Sequence, residues 1–172
     1  MPSPIKRNIL MNPKWYTPYT PYQAEISQGR LESLYNYQTM IKNITGLPLS
    51  NASLLDIGST SAEVLSMSHA YHKRKRNRYI ISNTLHPYII DILKLKCEVN
   101  DIDLDIVDDL NNINIDDNTI GVMFQYPDTF GSINIPYDTI NIAKQNNTIV
   151  SCSTDLLALT RYKSPGEIQA DI

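Results

Sequence analysis

The sequence has 172 residues, of which 42% are apolar and 19% are charged, as is typical of a globular domain and not of a disordered chain. Fifteen basic and eighteen acidic residues give a net charge of −3, so the chain lacks the basic field that attracts nucleic acids. No apolar run approaches the roughly 18 residues of a membrane span. We therefore expect one domain that binds neither nucleic acid nor membrane. The over-use of Ile and Asn indicates an AT-rich genome.

The two cysteines and the N-terminal residues bear on the cellular compartment. Cys97 and Cys152 are far apart and in unrelated contexts, which argues against a secreted disulfide framework and a cysteine-rich zinc site. Residues 1–15 contain neither a continuous apolar segment nor a small-residue cleavage site, so they do not resemble a signal peptide. They also have too few Arg and Ser residues for a transit peptide. A reducing, cytoplasmic compartment is expected.

The N-terminal segment, residues 1–22, is rich in proline and tyrosine. Its prolines alternate with the aromatic residues Trp15, Tyr16, Tyr19 and Tyr22. Proline has no backbone donor and pushes the preceding residue toward extended conformations. The pattern therefore predicts an extended arm over residues 1–22, followed by one α/β domain over residues 23–172.

Helices and strands are predicted to alternate after this arm. A helix capped by Ser27 is expected to end at Gly46, and a second helix is expected to begin at Ser59 or Thr60. The next segments are predicted as a strand at 78–82, a helix at 87–98, strands at 102–106 and 119–125, a helix at 135–146, a strand at 148–153 and a helical turn at 155–162. Strands separated by helices indicate right-handed crossovers and a mostly parallel sheet.

Three places in this pattern are candidates for ligand binding. Glycine permits close approach, hydroxyls donate hydrogen bonds and a helix N-terminus offers free amides, so Gly58, Ser59 and Thr60 can form a phosphate cradle. A plain N-cap explains the same spacing with a single hydroxyl. His86 and Asp155 each follow a predicted strand, where α/β sheets usually bind ligands, although both residue types are also common in turns.

The histidines and the basic run have simpler interpretations. His69 and His72 lie three residues apart with no third ligand nearby, so surface histidines are favoured over zinc and no metal is expected. Residues 73–78 form the only basic run of the sequence. A nuclear signal, a phosphate contact and cations that offset a helix dipole all remain open for this run, and the last is favoured. The usual glycine-rich nucleotide motifs do not occur.

Several longer segments resemble one known family. They include WYTPYTPYQAEISQGRLE at residues 15–32, NASLLD at 51–56, QYPDT at 125–129 and TDLLAL at 154–159. On these residues the chain is similar to the N-terminal half of the glycine cleavage system P-protein, the pyridoxal-phosphate-dependent glycine decarboxylase. The resemblance covers practically the whole chain. Ile57 departs from the family pattern, which usually has an acidic residue there.

The resemblance implies an incomplete large domain of the fold-type-I pyridoxal-phosphate enzymes, a mostly parallel sheet flanked by helices, with a Pro/Tyr-rich N-terminal arm. In that fold a Gly-Ser/Thr loop holds the cofactor phosphate. A residue at the place of His86 stacks on the cofactor ring, and an aspartate at the place of Asp155 pairs with the pyridine nitrogen. The resemblance therefore implies a vestigial cofactor pocket lined by Gly58, Ser59, Thr60, His86 and Asp155.

The resemblance also implies that the chain is inactive by itself. The family consists of two halves, and only the C-terminal half carries the cofactor lysine, whereas Lys73, Lys94 and Lys163 match no cofactor-lysine motif. We therefore expect a truncated, inactive glycine dehydrogenase-like protein that binds no cofactor covalently and contains no catalytic residue. The alternative is a non-catalytic subunit that pairs with itself or with a separate lysine-bearing C-terminal half. A weaker alternative is an interaction protein that uses residues 73–78.

Overall fold

The computed structural model describes residues 1–13 and 20–172. The chain forms two compact units, made of residues 1–43 with 48–52 and of residues 44–47 with 53–172. The boundary expected between residues 22 and 23 stays a prediction. No helix in the two described ranges is long and apolar enough to cross a membrane.

The start of the first unit is helical rather than extended. Ser3–Ile5 forms helix α1, and Lys6–Leu10 continues as a π-helix. The prediction of an extended arm was therefore wrong for these residues. Pro2 and Pro4 stand at the N-cap and in the first turn of α1, where a missing N–H breaks no intrahelical hydrogen bond. Three of the predicted aromatic residues of the arm lie outside the described residues: Trp15, Tyr16 and Tyr19.

Helix α2 comprises Gln28–Thr45 and follows a short 3-10 turn at Ala24–Ile26. The carbonyl of Ser27 accepts a hydrogen bond from the Leu31 N–H, while its hydroxyl donates to the Thr20 carbonyl. The helix ends before Gly46, whose φ of +71° lies in the left-handed region that favours glycine. The prediction of a helix between Ser27 and Gly46 is confirmed.

The second unit contains a four-stranded sheet. Its strands are β1 (Arg78–Ser82), β2 (Asp103–Val107), β3 (Thr119–Tyr126) and β4 (Ile149–Thr154). All neighbouring strands pair in parallel, in the order β2-β1-β3-β4. The parallel sheet predicted from the alternation of helices and strands is confirmed. Because the chain passes from β1 outward to β2 and then returns to β3, the carboxyl ends of β1 and β3 form the switch point of the sheet.

Three helices cover this sheet. They are α3 (Ile57–Tyr71), α4 (Pro87–Val99) and α5 (Tyr137–Gln145), and short 3-10 turns occupy Leu110–Asn112 and Ala158–Thr160. Successive residues of a strand point to opposite faces, so each face has its own core. One core joins α3 and α4 to the sheet (Leu65, Tyr79, Ile81, Ile89, Leu93), and the other joins α5 to it (Ile80, Val122, Phe124, Ile140, Val150).

Candidate functional site

The N-terminus of α3 contains three of the predicted site residues: Gly58, Ser59 and Thr60. The helix begins at Ile57, before the predicted start, because Asp56 caps it. Asp56 Oδ1 accepts a hydrogen bond of 2.7 Å from the Ser59 N–H. This bond and a second from the Ser59 hydroxyl hold the pKa of the Asp56 carboxyl below its ordinary range. The Ser59 amide, one of the groups predicted to bind a phosphate, therefore already donates to the Asp56 carboxylate.

The hydroxyl groups of this first turn point back to their own helix. Thr60 Oγ1 donates to the Asp56 carbonyl at 2.7 Å, and Ser61 Oγ donates to the Ile57 carbonyl at 2.7 Å. Each hydroxyl has one proton to donate, and both of these protons are already in hydrogen bonds. The arrangement is that of a capped helix, the simpler of the two interpretations that the sequence left open.

The space next to Gly58 is filled by the ring of Tyr88. A Cβ atom on Gly58 would lie 2.5 Å from Tyr88 Cε1, which is closer than such atoms can approach. The Tyr88 hydroxyl donates to Asp56 Oδ2 at 3.3 Å. The glycine therefore makes room for a tyrosine of α4. Sequence reasoning missed Tyr88, because nothing in the spacing relates it to a glycine 30 residues earlier.

His86 is the N-cap of α4, and its side chain is exposed. The ring Nδ1 of His86 accepts a hydrogen bond of 3.3 Å from the backbone N–H of Tyr88. The backbone N–H of His86 donates to Gln125 Oε1 at 3.0 Å. Gln125 in turn donates to the Pro127 carbonyl at 3.1 Å. These bonds give His86 the role of a helix cap, while the stacking role stays a prediction.

Asp155 follows β4 and is exposed. Its Oδ1 accepts a hydrogen bond of 3.0 Å from the Leu157 N–H, two residues further along the chain. This is the geometry of an Asx turn, in which the side chain hydrogen-bonds to the backbone two residues further along the chain. Its predicted role as the partner of a pyridine nitrogen is untested.

The structure brings only some of these predicted residues together. Thr60 shares a largely apolar cavity of about 250 Å³ with Thr154 and Leu156, the neighbours of Asp155. The wall of this cavity includes neither Asp155 nor His86. Gly58 instead contacts Tyr88, which lies next to the cap formed by His86. The five predicted residues thus surround the carboxyl end of the sheet without lining this cavity together.

A second cavity, of about 210 Å³, lies at the switch point between β1 and β3. Ser82, Thr84 and Gln125 line it together with the acidic residues Asp108, Asp109 and Asp128. The carboxylates accept hydrogen bonds from nearby groups: Asp108 from Asn83, Asp109 from Asn111, and Asp128 from Phe130 and Ser132. Three carboxylates repel a phosphate, so this cavity does not replace the cradle predicted at α3. Within the described ranges, no group of three or more His, Cys, Asp or Glu residues is arranged to hold a metal.

His72, for which the sequence favoured an ordinary surface histidine over a zinc ligand, is instead packed against the sheet. It is buried, and its Nε2 lies 3.0 Å from the Ile120 carbonyl, which can only accept a hydrogen bond. Nε2 therefore carries the proton. Burial, and the positive charge of Arg76, lower the pKa of His72, which favours the neutral ring.

Two cations of the basic run bind to the protein itself. The Arg76 guanidinium donates to the carbonyls of Thr119 and Asn146, at 2.8 and 3.0 Å, and to Thr148 Oγ1 at 3.2 Å. Arg78 forms an ion pair of 2.6 Å with Asp105. The side chains of residues 73–75 are exposed. The run therefore joins the end of α3 to the amino ends of the strands, and only its first three cations face solvent.

A parallel sheet between layers of helices makes this an α/β protein. Comparison with a solved structure shows which kind of α/β fold it has. The fold is similar to a crystal structure of glycine decarboxylase (P-protein) of the glycine cleavage system in inhibitor-bound form, with a TM-score of 0.81 and 27% sequence identity. The match covers 97% of this chain and 39% of that chain. It confirms the fold-type-I architecture that the resemblance implied.

The sequence comparisons specify the family. The family model of the glycine cleavage system P-protein matches residues 1–172, so the chain belongs to this family. It is 47% identical to glycine dehydrogenase (decarboxylating) of Prochlorococcus marinus (strain NATL2A) over 173 residues, which is 100% of this chain and 18% of that protein. It is 49% identical to the mitochondrial glycine dehydrogenase (decarboxylating) of Pisum sativum, of which it covers 16%. The chain thus spans less than a fifth of the length of these relatives.

Proposed function

We propose that this chain is a non-catalytic, glycine dehydrogenase-like part of the P-protein fold that neither holds pyridoxal phosphate nor decarboxylates glycine by itself. Its role in this proposal is structural: it supplies a parallel sheet with covering helices to a larger P-protein assembly. Membership of the family and the α/β fold support the structural part of the proposal.

The Asp56 cap supports the non-catalytic part. A cofactor phosphate needs free amides and hydroxyl donors at a helix N-terminus. At α3, the Ser59 amide is bonded to a carboxylate at 2.7 Å, and the Thr60 hydroxyl is bonded to a carbonyl. A phosphate would have to displace Asp56 and would be repelled by its charge, which the lowered pKa maintains. The residues at this position therefore do not fit the cofactor.

The remaining predicted contacts give the cofactor little support. His86 and Asp155 are both exposed, and each caps or turns the adjacent backbone. A stacking partner and a pyridine partner must be held against the cofactor by the surrounding protein. Neither residue contacts the other in this structure through a hydrogen bond or ion pair.

The proposal is tested by cofactor binding to the full chain. Pyridoxamine phosphate is a suitable probe, because it has no aldehyde and cannot form an adventitious Schiff base with surface lysines. We expect no saturable binding by calorimetry and no glycine-dependent exchange of carbon dioxide when pyridoxal phosphate is added. The His86→Ala and Asp155→Asn variants are the controls. Saturable binding that both substitutions weaken would overturn the proposal.

A second candidate function is that of a subunit that complements a separate, lysine-bearing P-protein chain. Exposed apolar side chains on α3 favour it, namely Ile57, Met67 and Tyr71, which are 45%, 59% and 59% exposed. Co-expression with a C-terminal P-protein half, followed by size-exclusion chromatography, is the test. Co-elution supports this candidate, and separate elution at micromolar concentration contradicts it. Substitution of Met67 by Gln should weaken co-elution, whereas a substitution of exposed Lys75 should not.

A further inference from the structure

A cavity of about 190 Å³ lies between the C-terminal parts of α3 and α4, at the opposite end of these helices from the predicted cofactor residues. Three basic side chains line it: His69 of α3, Arg74 of the turn after α3, and Lys96 of α4. No carboxylate lines this cavity within the described part of the chain. The wall thus presents positive charge from three separate segments.

The two permanent cations of this wall have no counter-ion. Within residues 1–13 and 20–172, the ion pairs are made by Arg78 and Lys144, and neither Arg74 nor Lys96 takes part in one. The Lys96 side chain is partly buried. Partial removal of an ammonium group from water costs free energy, and an anion in the cavity would offset this cost.

The charge of Arg74 acts on the other side of the cavity. Burial, and the positive charge of Arg74, lower the pKa of His69. The backbone of Arg74 has a φ of +56°, in the left-handed region where glycine commonly follows a helix. The guanidinium is therefore carried at a position where the backbone favours a residue without a side chain.

The ends of the two helices do not account for both cations. The backbone N–H of Arg74 already donates to the His69 carbonyl at 2.9 Å. The side-chain amide of Asn100 likewise donates to the Lys96 carbonyl at 2.7 Å. Each helix C-terminus carries about half a negative charge, so the two ends balance only about one of the two positive charges. The cavity keeps a positive excess.

We propose that this cavity binds one free inorganic phosphate dianion between Arg74, Lys96 and His69. The planar guanidinium matches two phosphate oxygens, and the Lys96 ammonium supplies a point charge from the other helix. Asn100 also lines the cavity, and its amide has a second proton to donate, since only one is bonded to the Lys96 carbonyl.

Ser66 favours phosphate over other tetrahedral dianions. It lines the cavity, and its hydroxyl already donates to the Ala62 carbonyl at 2.9 Å. Its oxygen can therefore only accept a further hydrogen bond. Hydrogen phosphate has one O–H group to donate to this oxygen, whereas sulfate has none. The site thus combines cations for the charge of the ion with one acceptor for its proton.

The size of the cavity restricts the ligand to the ion itself. Its volume of about 190 Å³ is below the roughly 300 Å³ at which pockets for larger organic ligands begin. The inference does not depend on the proposed function, because it uses none of the residues predicted to hold pyridoxal phosphate. Pyridoxamine phosphate should accordingly not displace the bound ion.

The experiment is a calorimetric titration of the full chain with inorganic phosphate at mildly alkaline pH, with chloride holding the ionic strength constant. We expect saturable binding at one site with a Kd below about 10 mM. Arg74→Gln and Lys96→Gln should each weaken this binding by about tenfold. The matched controls are Lys75→Gln and Lys94→Gln, which remove the same charge from positions outside the cavity wall and should leave the Kd unchanged. Circular dichroism verifies that each variant is folded.

Two further measurements locate the ion. In nuclear magnetic resonance spectra, phosphate should shift the ring signals of His69 and leave those of His86 unchanged, since His86 caps the far end of α4. Sulfate should bind more weakly than phosphate, and Ser66→Ala should remove this difference.

Four results would overturn the proposal. Saturation only above about 10 mM would mean an adventitious ion only. Equal weakening by the two control substitutions would mean a diffuse charge effect. Unchanged His69 signals would place the ion elsewhere. Sulfate binding as tight as phosphate binding would contradict the assignment to phosphate.

Discussion

The carboxylate of Asp56 and the backbone N–H of Ser59 are joined by a hydrogen bond of 2.7 Å at the N-terminus of α3. A negative charge at this end of a helix interacts favourably with the helix dipole and replaces a missing intrahelical acceptor. The Tyr88 hydroxyl holds the other carboxylate oxygen at 3.3 Å. One side chain thus connects α3 to α4 at the place where a cofactor phosphate was predicted.

Removal of this cap should destabilise the protein. We expect Asp56→Ala to lower the urea midpoint of unfolding, because the Ser59 amide loses its partner and Tyr88 loses its acceptor. Asp56→Asn is the matched control, since it keeps the capping oxygen and removes only the charge, so it should cost less stability than Asp56→Ala. A midpoint that is the same in Asp56→Ala and the wild type would contradict the assigned role.

The charge of Asp56 should make the contribution of this cap dependent on pH. The pKa of the carboxyl is lowered in the folded state, so its stabilisation is fully present above the pKa of the unfolded chain and is lost as the pH falls through the folded pKa. The difference in stability between the wild type and Asp56→Asn should therefore decrease below about pH 4. Urea unfolding at several acidic pH values measures it. A stability difference between the two proteins that stays constant with pH would mean that Asp56 stabilises the helix through hydrogen bonding alone.

His72 should give a second pH dependence, in a higher range. Its pKa is lowered by burial and by Arg76, so the neutral ring is stabilised in the folded state and must be protonated in acid. Stability should be full above the ordinary histidine pKa of 6.5 and should fall as the pH drops toward the folded pKa. Thermal midpoints between about pH 8 and pH 5 should decrease less in His72→Gln. The same measurement on His69→Gln shows how much of the pH dependence of the thermal midpoint comes from His69.

Arg76 should be more important for stability than its neighbours in the basic run. Its guanidinium bonds to three acceptors on two separate segments, and the single ammonium of a lysine cannot reproduce this fork. Arg76→Lys should lower the free energy of unfolding by about 2 kcal/mol. The control is Arg74→Lys at an exposed position, for which we expect a change within about 0.5 kcal/mol. Equal effects of the two substitutions would contradict a special role of the Arg76 guanidinium.

Gly166 should be intolerant of any side chain. A Cβ atom on Gly166 would lie 2.3 Å from the Gly46 carbonyl oxygen. The backbone N–H of Gly166 also donates to the Thr45 carbonyl at 2.8 Å, which holds the two segments together. Gly166→Ala should therefore lower the free energy of unfolding by about 2 kcal/mol, because backbone must move. Gly131 is the control, since its φ is +80° but no atom lies within 4 Å of its added Cβ. Gly131→Ala should cost about 1 kcal/mol from backbone strain alone.

The elements of the sheet were predictable because their signals are local. Alternating helices and strands predicted the parallel sheet, and Gly46 marked the end of α2. Residues 3–10 of the N-terminal segment were mispredicted because proline density was interpreted without the position of each proline: Pro2 and Pro4 fall where a helix tolerates them. The start of α3 was misplaced because Ser59 and Asp56 are both good caps, and local sequence does not choose between them.

The sequence by itself determined the family and the α/β fold, because these depend on motifs and on periodicity within short segments. The tertiary structure alone decided what the candidate residues do. Gly58 faces Tyr88, and Arg76 bonds to residues beyond position 118, because parallel crossovers bring distant segments to the same end of the sheet. Contacts between segments far apart in the chain leave no local signal, and one such contact, the Tyr88 ring against Gly58, fills the space next to the predicted phosphate cradle.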